Sequence, residues 1–211
     1  MKRLICLIIA LQMILVLGLC SPIATAETNK TAPKLHISLY QNGKYTNFTK
    51  KCVGVDKELK CYSKGMTDWN SSNTSVAKIE LTKQTGKVKI HTGKPGETTI
   101  TASRTIKGKT FSVSAKLYVI SADVVIRNGF IYPGDTGFVG VTNVQPKSLE
   151  KYILDNLKFK TSNKKVVKIK KGIPIAVKPG KATITIGSLG VEFGKVKVGV
   201  SKPRHTTKTK K

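Results

Sequence analysis

The feature that most constrains this 211-residue chain is that it repeats itself once. Trp69-Asn70-Ser71-Ser72-Asn73-Thr74-Ser75-Val76-Ala77-Lys78-Ile79 aligns with Phe159-Lys160-Thr161-Ser162-Asn163-Lys164-Lys165-Val166-Val167-Lys168-Ile169 at an offset of 90. Lys94-Pro95-Gly96-Glu97-Thr98-Thr99-Ile100-Thr101 aligns with Lys178-Pro179-Gly180-Lys181-Ala182-Thr183-Ile184-Thr185 at an offset of 84. The first copy is six residues longer after Ile79. Two matches in the same order indicate a duplicated module of roughly 80–90 residues.

Each copy reads as β. Val88 and Ile90 alternate with Lys87, Lys89 and His91; Val167 and Ile169 with Lys168 and Lys170; and Val196, Val198 and Val200 with Lys195, Lys197 and Gly199. A period of two buries one face of a strand and wets the other. Gln41-Asn42-Gly43, Lys94-Pro95-Gly96, Asn128-Gly129, Pro133-Gly134-Asp135 and Lys178-Pro179-Gly180 punctuate the strands. Pro followed by Gly suits a type II turn with Gly at positive φ. Many short strands between regular turn signals indicate a sandwich or barrel. One short helix is expected, with Ser148 capping Leu149 to Asn156 and placing Leu149, Ile153 and Leu157 on one side.

Trp-x-Ser-Ser-Asn, Val-Ala-x-Ile, Gly-x-Val and Lys-Pro-Gly-x-x-x-Ile-Thr-Ala, carried by residues 69–102, resemble the group 2 bacterial Ig-like domain. The second copy departs from the pattern: Phe159 replaces the Trp, Val167 the Ala, and Pro174 is expected to break the Gly-x-Val strand. The resemblance covers about residues 34–200. It implies an all-β chain of two tandem Ig-like Greek-key β-sandwich domains, 34–120 and 121–200, joined near Val119 to Asp123. It also implies a secreted or cell-surface bacterial protein, often an adhesin. The motif residues read as structural: Trp69 and Phe159 as core, and Ser72, Asn73, Ser162 and Asn163 as tight-turn formers.

The N-terminus reads as an export signal. Lys2 and Arg3 precede an apolar run from Leu4 to Leu19, and Ala24-Thr25-Ala26 offers a small-x-small cleavage site. Residues 1–26 are therefore a signal peptide cut near Ala26. An uncleaved anchor and lipidation at Cys20 are the competing readings, the first short of the roughly 20 apolar residues that span a membrane. Cys52 and Cys61 remain. A hairpin turning at Asp56-Lys57 would set them opposite each other, and in an exported protein such a pair reads as a disulfide; two free thiols are the alternative.

Charge is the one functional lead. Lys and Arg outnumber Asp and Glu 38 to 11, a formal +27 that becomes +25 once Lys2 and Arg3 leave with the signal peptide. The densest pieces are Lys164, Lys165, Lys168, Lys170 and Lys171, and a basic tail at 201–211 holding Lys202, Arg204, Lys208, Lys210 and Lys211. The tail has no apolar periodicity and reads as disordered. These ten residues are the candidate polyanion-binding set. The expected partner is an anionic cell-envelope polymer, a polysaccharide or a membrane surface. With Arg104, Arg127 and Arg204 the only mature arginines, sequence-specific nucleic-acid readout is disfavoured. No Ser/His/Asp set, metal-ligand spacing or phosphate-cradling loop is present, so neither enzyme activity nor a cofactor is expected. The alternative is a structural spacer or protein-interaction module whose charge is incidental.

Overall fold

Alternating burial in strands such as Lys87–Thr92, Gly96–Ile106 and Gly180–Ser188 turns one face of each sheet inward. The computed structural model describes residues 35–127 and 132–202. The signal peptide, Asn128-Gly129 and tail residues Arg204, Lys208, Lys210 and Lys211 lie outside them.

In the first copy one sheet contains β1 (Ile37–Gln41), β2 (Lys44–Phe48), β4 (Glu58–Tyr62), β6 (Ala77–Leu81) and β7 (Lys87–Thr92), in the order β2-β1-β4-β7-β6. The facing layer contains β3 (Lys50–Gly54), β5 (Asp68–Ser71), β8 (Gly96–Ile106) and β9 (Lys109–Arg127). Ile37, Leu39, Cys61, Val88 and Ile90 from one sheet meet Val53, Ile100, Ala102, Leu117 and Val119 from the other. In the second copy β10 (Phe138–Gln145) pairs with the end of β9. β11 (Leu157–Thr161), β14 (Gly180–Ser188) and β15 (Val191–Val200) form a three-stranded sheet, and β12 (Val167–Lys170) pairs with β13 (Ile173–Ala176). Val139, Val167, Ala176, Ile184, Ile186 and Val198 make the second core.

The joint expected at Val119 to Asp123 is not a loop. β9 runs unbroken through it, and Val119 and Ile120 are 0% and 1% exposed. Consecutive strand residues point to opposite faces. Val119 therefore enters the first core, while Ile120 enters a third cluster with Val144 and Ile153, flanked by Cys52, Tyr118, Leu149, Val191 and Phe193. That cluster draws on both copies and covers the strand at the expected joint.

The cysteine pairing is also corrected. β3 and β4 do not form a hairpin. β3 runs parallel to β9, with Cys52 beside Tyr118, whereas β4 lies in the other sheet, with Cys61 beside Val88 and Leu39. Asp56-Lys57 is thus a crossover between layers. Buried Thr92 holds it: its Oγ1 accepts from the Lys57 N–H at 2.8 Å and donates to the Gly54 carbonyl at 2.8 Å. Packed sheets stand about 10 Å apart, beyond the roughly 4.4–6.8 Å Cα span of a disulfide. Both thiols are free. Val53 takes the core side of β3, so Cys52 faces the inter-copy cluster, while Cys61 is buried in the first core.

Three smaller expectations shift. The helix α1 (Glu150–Asp155) follows a 3-10 turn at Lys147–Leu149; Ser148 lies inside that turn, and no side chain caps either element. Its inner face holds, with Ile153 fully buried beneath Leu149. Pro174 does not break its strand: it sits in β13 opposite Ile169, and its carbonyl accepts from the Gly137 N–H. Gly96 is not a positive-φ residue. It and Gly180 are required by close approach, since a Cβ would meet Cγ2 of Val76 at 2.7 Å and of Val166 at 2.8 Å.

Two outcomes follow from this packing. Limited proteolysis should leave 119–123 intact, and Ile120→Ala, which opens a cavity between the copies, should cost about 2–4 kcal/mol; cleavage at residue 121 of the folded chain would contradict the shared strand. Alkylation in denaturant without reductant should add two adducts. Burial pushes the Cys61 thiol from 9.0 up to about 12. The folded state holds that proton more tightly than the unfolded one. This contribution is therefore complete below pH 9 and is lost as pH rises toward 12. Denaturation of Cys61→Ala should show a shallower loss of stability over that window than the parent chain.

Candidate polyanion-binding face

The duplicated turn positions the basic face. In the first copy Asn73 Oδ1 accepts from the Ser75 N–H at 3.2 Å, its carbonyl accepts from Val76 and Ala77, and Ser72 Oγ accepts from the Thr99 N–H at 2.9 Å. In the second, Asn163 Oδ1 accepts from the Lys165 N–H at 3.0 Å, its carbonyl accepts from Val166 and Val167, and Ser162 Oγ accepts from the Thr183 N–H at 2.9 Å. These side chains satisfy backbone groups that the turn leaves without strand partners. The motif is occupied with holding strands, and function has to reside in the residues that vary on it.

Those residues differ in charge. Between Asp155 and Glu192 the sequence has nine lysines and no acid: Lys158, Lys160, Lys164, Lys165, Lys168, Lys170, Lys171, Lys178 and Lys181. All nine are exposed. None takes part in the ion pairs among the described residues, which join Lys89 to Glu58, His91 to Glu80, Lys116 to Glu97, Lys147 to Glu150, Lys151 to Asp155 and Lys195 to Glu192. At the aligned positions the first copy has Asn70, Thr74, Ser75, Glu80 and Leu81 where the second has Lys160, Lys164, Lys165, Lys170 and Lys171. Only Lys78 and Lys168 correspond as lysines at this turn and strand.

In the first copy three carboxylates are paired. His91 Nε2 lies 2.7 Å from Glu80 Oε2, and that hydrogen bond, with Lys89 and His91 charge nearby, holds the Glu80 carboxyl below its usual range. Hydrogen bonding and attraction from Glu58 hold the Lys89 ammonium above its own. The nine lysines between Asp155 and Glu192 have no such ion pair among the described residues, so their field is left for solvent ions or a ligand.

Of the candidate residues, five lie along one turn, strand and hairpin turn, and two of them, Lys164 and Lys168, line the same groove. Lys164 and Lys165 occupy the turn before β12, Lys168 and Lys170 lie on β12 with outward side chains, and Lys171 enters the β12–β13 turn at φ 51°, followed by Gly172 at φ 79°. Positive φ at both central residues is the two-residue hairpin turn that suits strand twist. Lys202 is exposed just past β15. Sequence reasoning missed Lys160 and took Phe159 simply as core. Phe159 is partly buried, and with Lys160, Thr161, Lys164, Lys168 and Ile169 it lines a groove of about 590 Å³. The unbroken acid-free run from 156 to 191 was the signal that would have found Lys160. Trp69 likewise is only partly buried, on the edge of the first core. Among the described residues no group of three or more His, Cys, Asp or Glu could hold a metal ion, and no helix is long and apolar enough to cross a membrane.

No family model and no curated protein matches the chain. Its fold is similar to tandem Ig-like domains in solved structures. Domains 5–6 of the S-layer protein SbsC align over 82% of this chain and all of that one, at 15% identity and a TM-score of 0.28. The three N-terminal domains of the bacteriophage RB49 Highly Immunogenic Outer Capsid protein align over 81% and 71%, at 10% identity and TM-score 0.44. The Escherichia coli adhesin FdeC aligns over 79% and 64%, at 13% identity and TM-score 0.32. The likeness concerns fold alone.

Proposed function

We propose that this chain is a secreted or surface-exposed protein of the group 2 bacterial Ig-like kind that adheres to anionic envelope or host polymers through lysine. The observation that carries this reading is the run of nine exposed lysines without an acid between Asp155 and Glu192, none of them ion-paired among the described residues. Mixed charge would serve solubility as well as lysine alone, so solubility does not account for the missing carboxylates. Similarity to an S-layer protein and an adhesin agrees with a place outside the cell. Each lysine near an anionic surface contributes about 1 kcal/mol before screening, and several acting together give useful avidity.

A structural spacer is the second reading, and the continuous strand β9 with its inter-copy cluster favours it. Salt separates the two. Retention on immobilised heparin should be firm at about 50 mM salt and fall steeply toward about 300 mM, because the Debye length shortens and released counterions lose their entropic advantage. Failure to bind at about 50 mM, where screening is weak, would leave the spacer reading. Tight retention indifferent to salt would point to an uncharged ligand.

A further inference from the structure

The two copies share a turn and a pair of edge strands, but not the space beside their aromatic residue. In the first copy Trp69 and the β6–β7 loop, Thr82 to Gly86, line a space of about 190 Å³. In the second copy the hairpin turn shrinks to Lys171-Gly172 and the ring to Phe159. A Cβ on Gly172 would stand 3.7 Å from Phe159 Cε2, so the short turn reaches the ring and stops there. The groove between β11 and β12 measures about 590 Å³. The six-residue shortening and the Trp-to-Phe difference accompany this larger space, and three lysines line it.

This resolves the dispersed charge of the preceding reading into a place, and rests on that reading. We propose that the groove seats a linear polyanion whose charges are borne on a sugar or polyol backbone. Its phosphate or sulfate groups meet Lys160, Lys164 and Lys168, and its carbon skeleton lies on Phe159 and Ile169. A groove with a half-buried apolar floor and cationic walls fits a chain that alternates carbon and charge. A membrane offers a broad surface and no strand of this width. Single-stranded nucleic acid is held by successive exposed aromatic faces; here Phe159 is alone in the lining and partly covered. No arginine lines the groove to grip a base or phosphate with two parallel hydrogen bonds.

The duplication supplies the test, because the first copy carries Asn70, Thr74 and Ser75 on the same strand and turn where the second carries lysines. The exchange variant is Lys160→Asn, Lys164→Thr and Lys165→Ser, the residues of the first copy at those positions. The control, Lys44→Ser, Lys83→Thr and Lys107→Asn, removes three exposed, unpaired lysines from the first copy. Binding of a heparin hexasaccharide, a short poly(glycerol phosphate), an oligo-dT of matched charge and vesicles of phosphatidylglycerol is measured at about 50 mM salt. Circular dichroism and melting temperature verify that each variant folds. The exchange should weaken the heparin or glycerol phosphate oligomer at least about tenfold, while the control changes it by less than about threefold and the oligo-dT binds more weakly. Equal losses in the two variants would overturn the groove and leave the dispersed-charge reading intact. No binding of any probe by the parent chain would sink the polyanion reading itself. Preference for oligo-dT or for vesicles would assign the wrong class of occupant.

Discussion

Strand β9 is the element on which the rest depends. It runs from Lys109 to Arg127 and pairs antiparallel with β8 and parallel with β3 along its first part, then antiparallel with β10 along its last. One strand therefore belongs to the sheets of both copies. The change of allegiance takes a single residue step: Val119 points into the first core and Ile120 into the cluster shared with Val144 and Ile153. The pleat makes this possible without a linker, since neighbours on a strand face opposite ways. It also fixes Cys52, carried next to Tyr118 on β3, against the joint and out of reach of Cys61.

Local sequence disclosed what is decided locally. The Asn-Ser turns are built from side chains within a few residues of the backbone they satisfy, together with one N–H from the strand opposite, so the motif names them reliably. The alternation in β7 and β14 likewise states which face is buried. What was hidden depends on partners far along the chain. The Asp56-Lys57 segment has the spacing of a hairpin, and only Thr92, some thirty-five residues away, turns it into a crossover. Gly96 and Gly180 look like turn glycines until Val76 and Val166 are seen against them. The length difference after Ile79 was plain in the alignment, but what accompanies it, a space of about 190 Å³ beside Trp69 and one of about 590 Å³ beside Phe159, is a property of packing.

Function on such a fold resides in what is grafted onto it, and duplication provides an internal control. Both copies hold their edge strands with the same hydrogen bonds, so the scaffold alone does not account for the charge. The first copy spends one histidine and two lysines on its own carboxylates: Lys89 on Glu58, His91 on Glu80, Lys116 on Glu97. Of the second copy's five acids, Asp123 and Asp135 accept hydrogen bonds from Asn143 and from the Tyr132 N–H, and Glu150, Asp155 and Glu192 are answered by lysines three or four residues away. Such exposed pairs add little stability. The run between them, from 156 to 191, is left without a carboxylate, beside a groove where lysine and an apolar floor meet.

The most direct measurement is a backbone amide NMR titration of the chain with a heparin hexasaccharide at low salt. The account predicts shifts concentrated at Lys160 and Thr161, from Lys164 to Ile169, and at Lys171 and Gly172, with the aligned amides from Asn70 to Ile79 left quiet. Shifts spread evenly over the lysines of both copies, or gathered around Trp69, would contradict it.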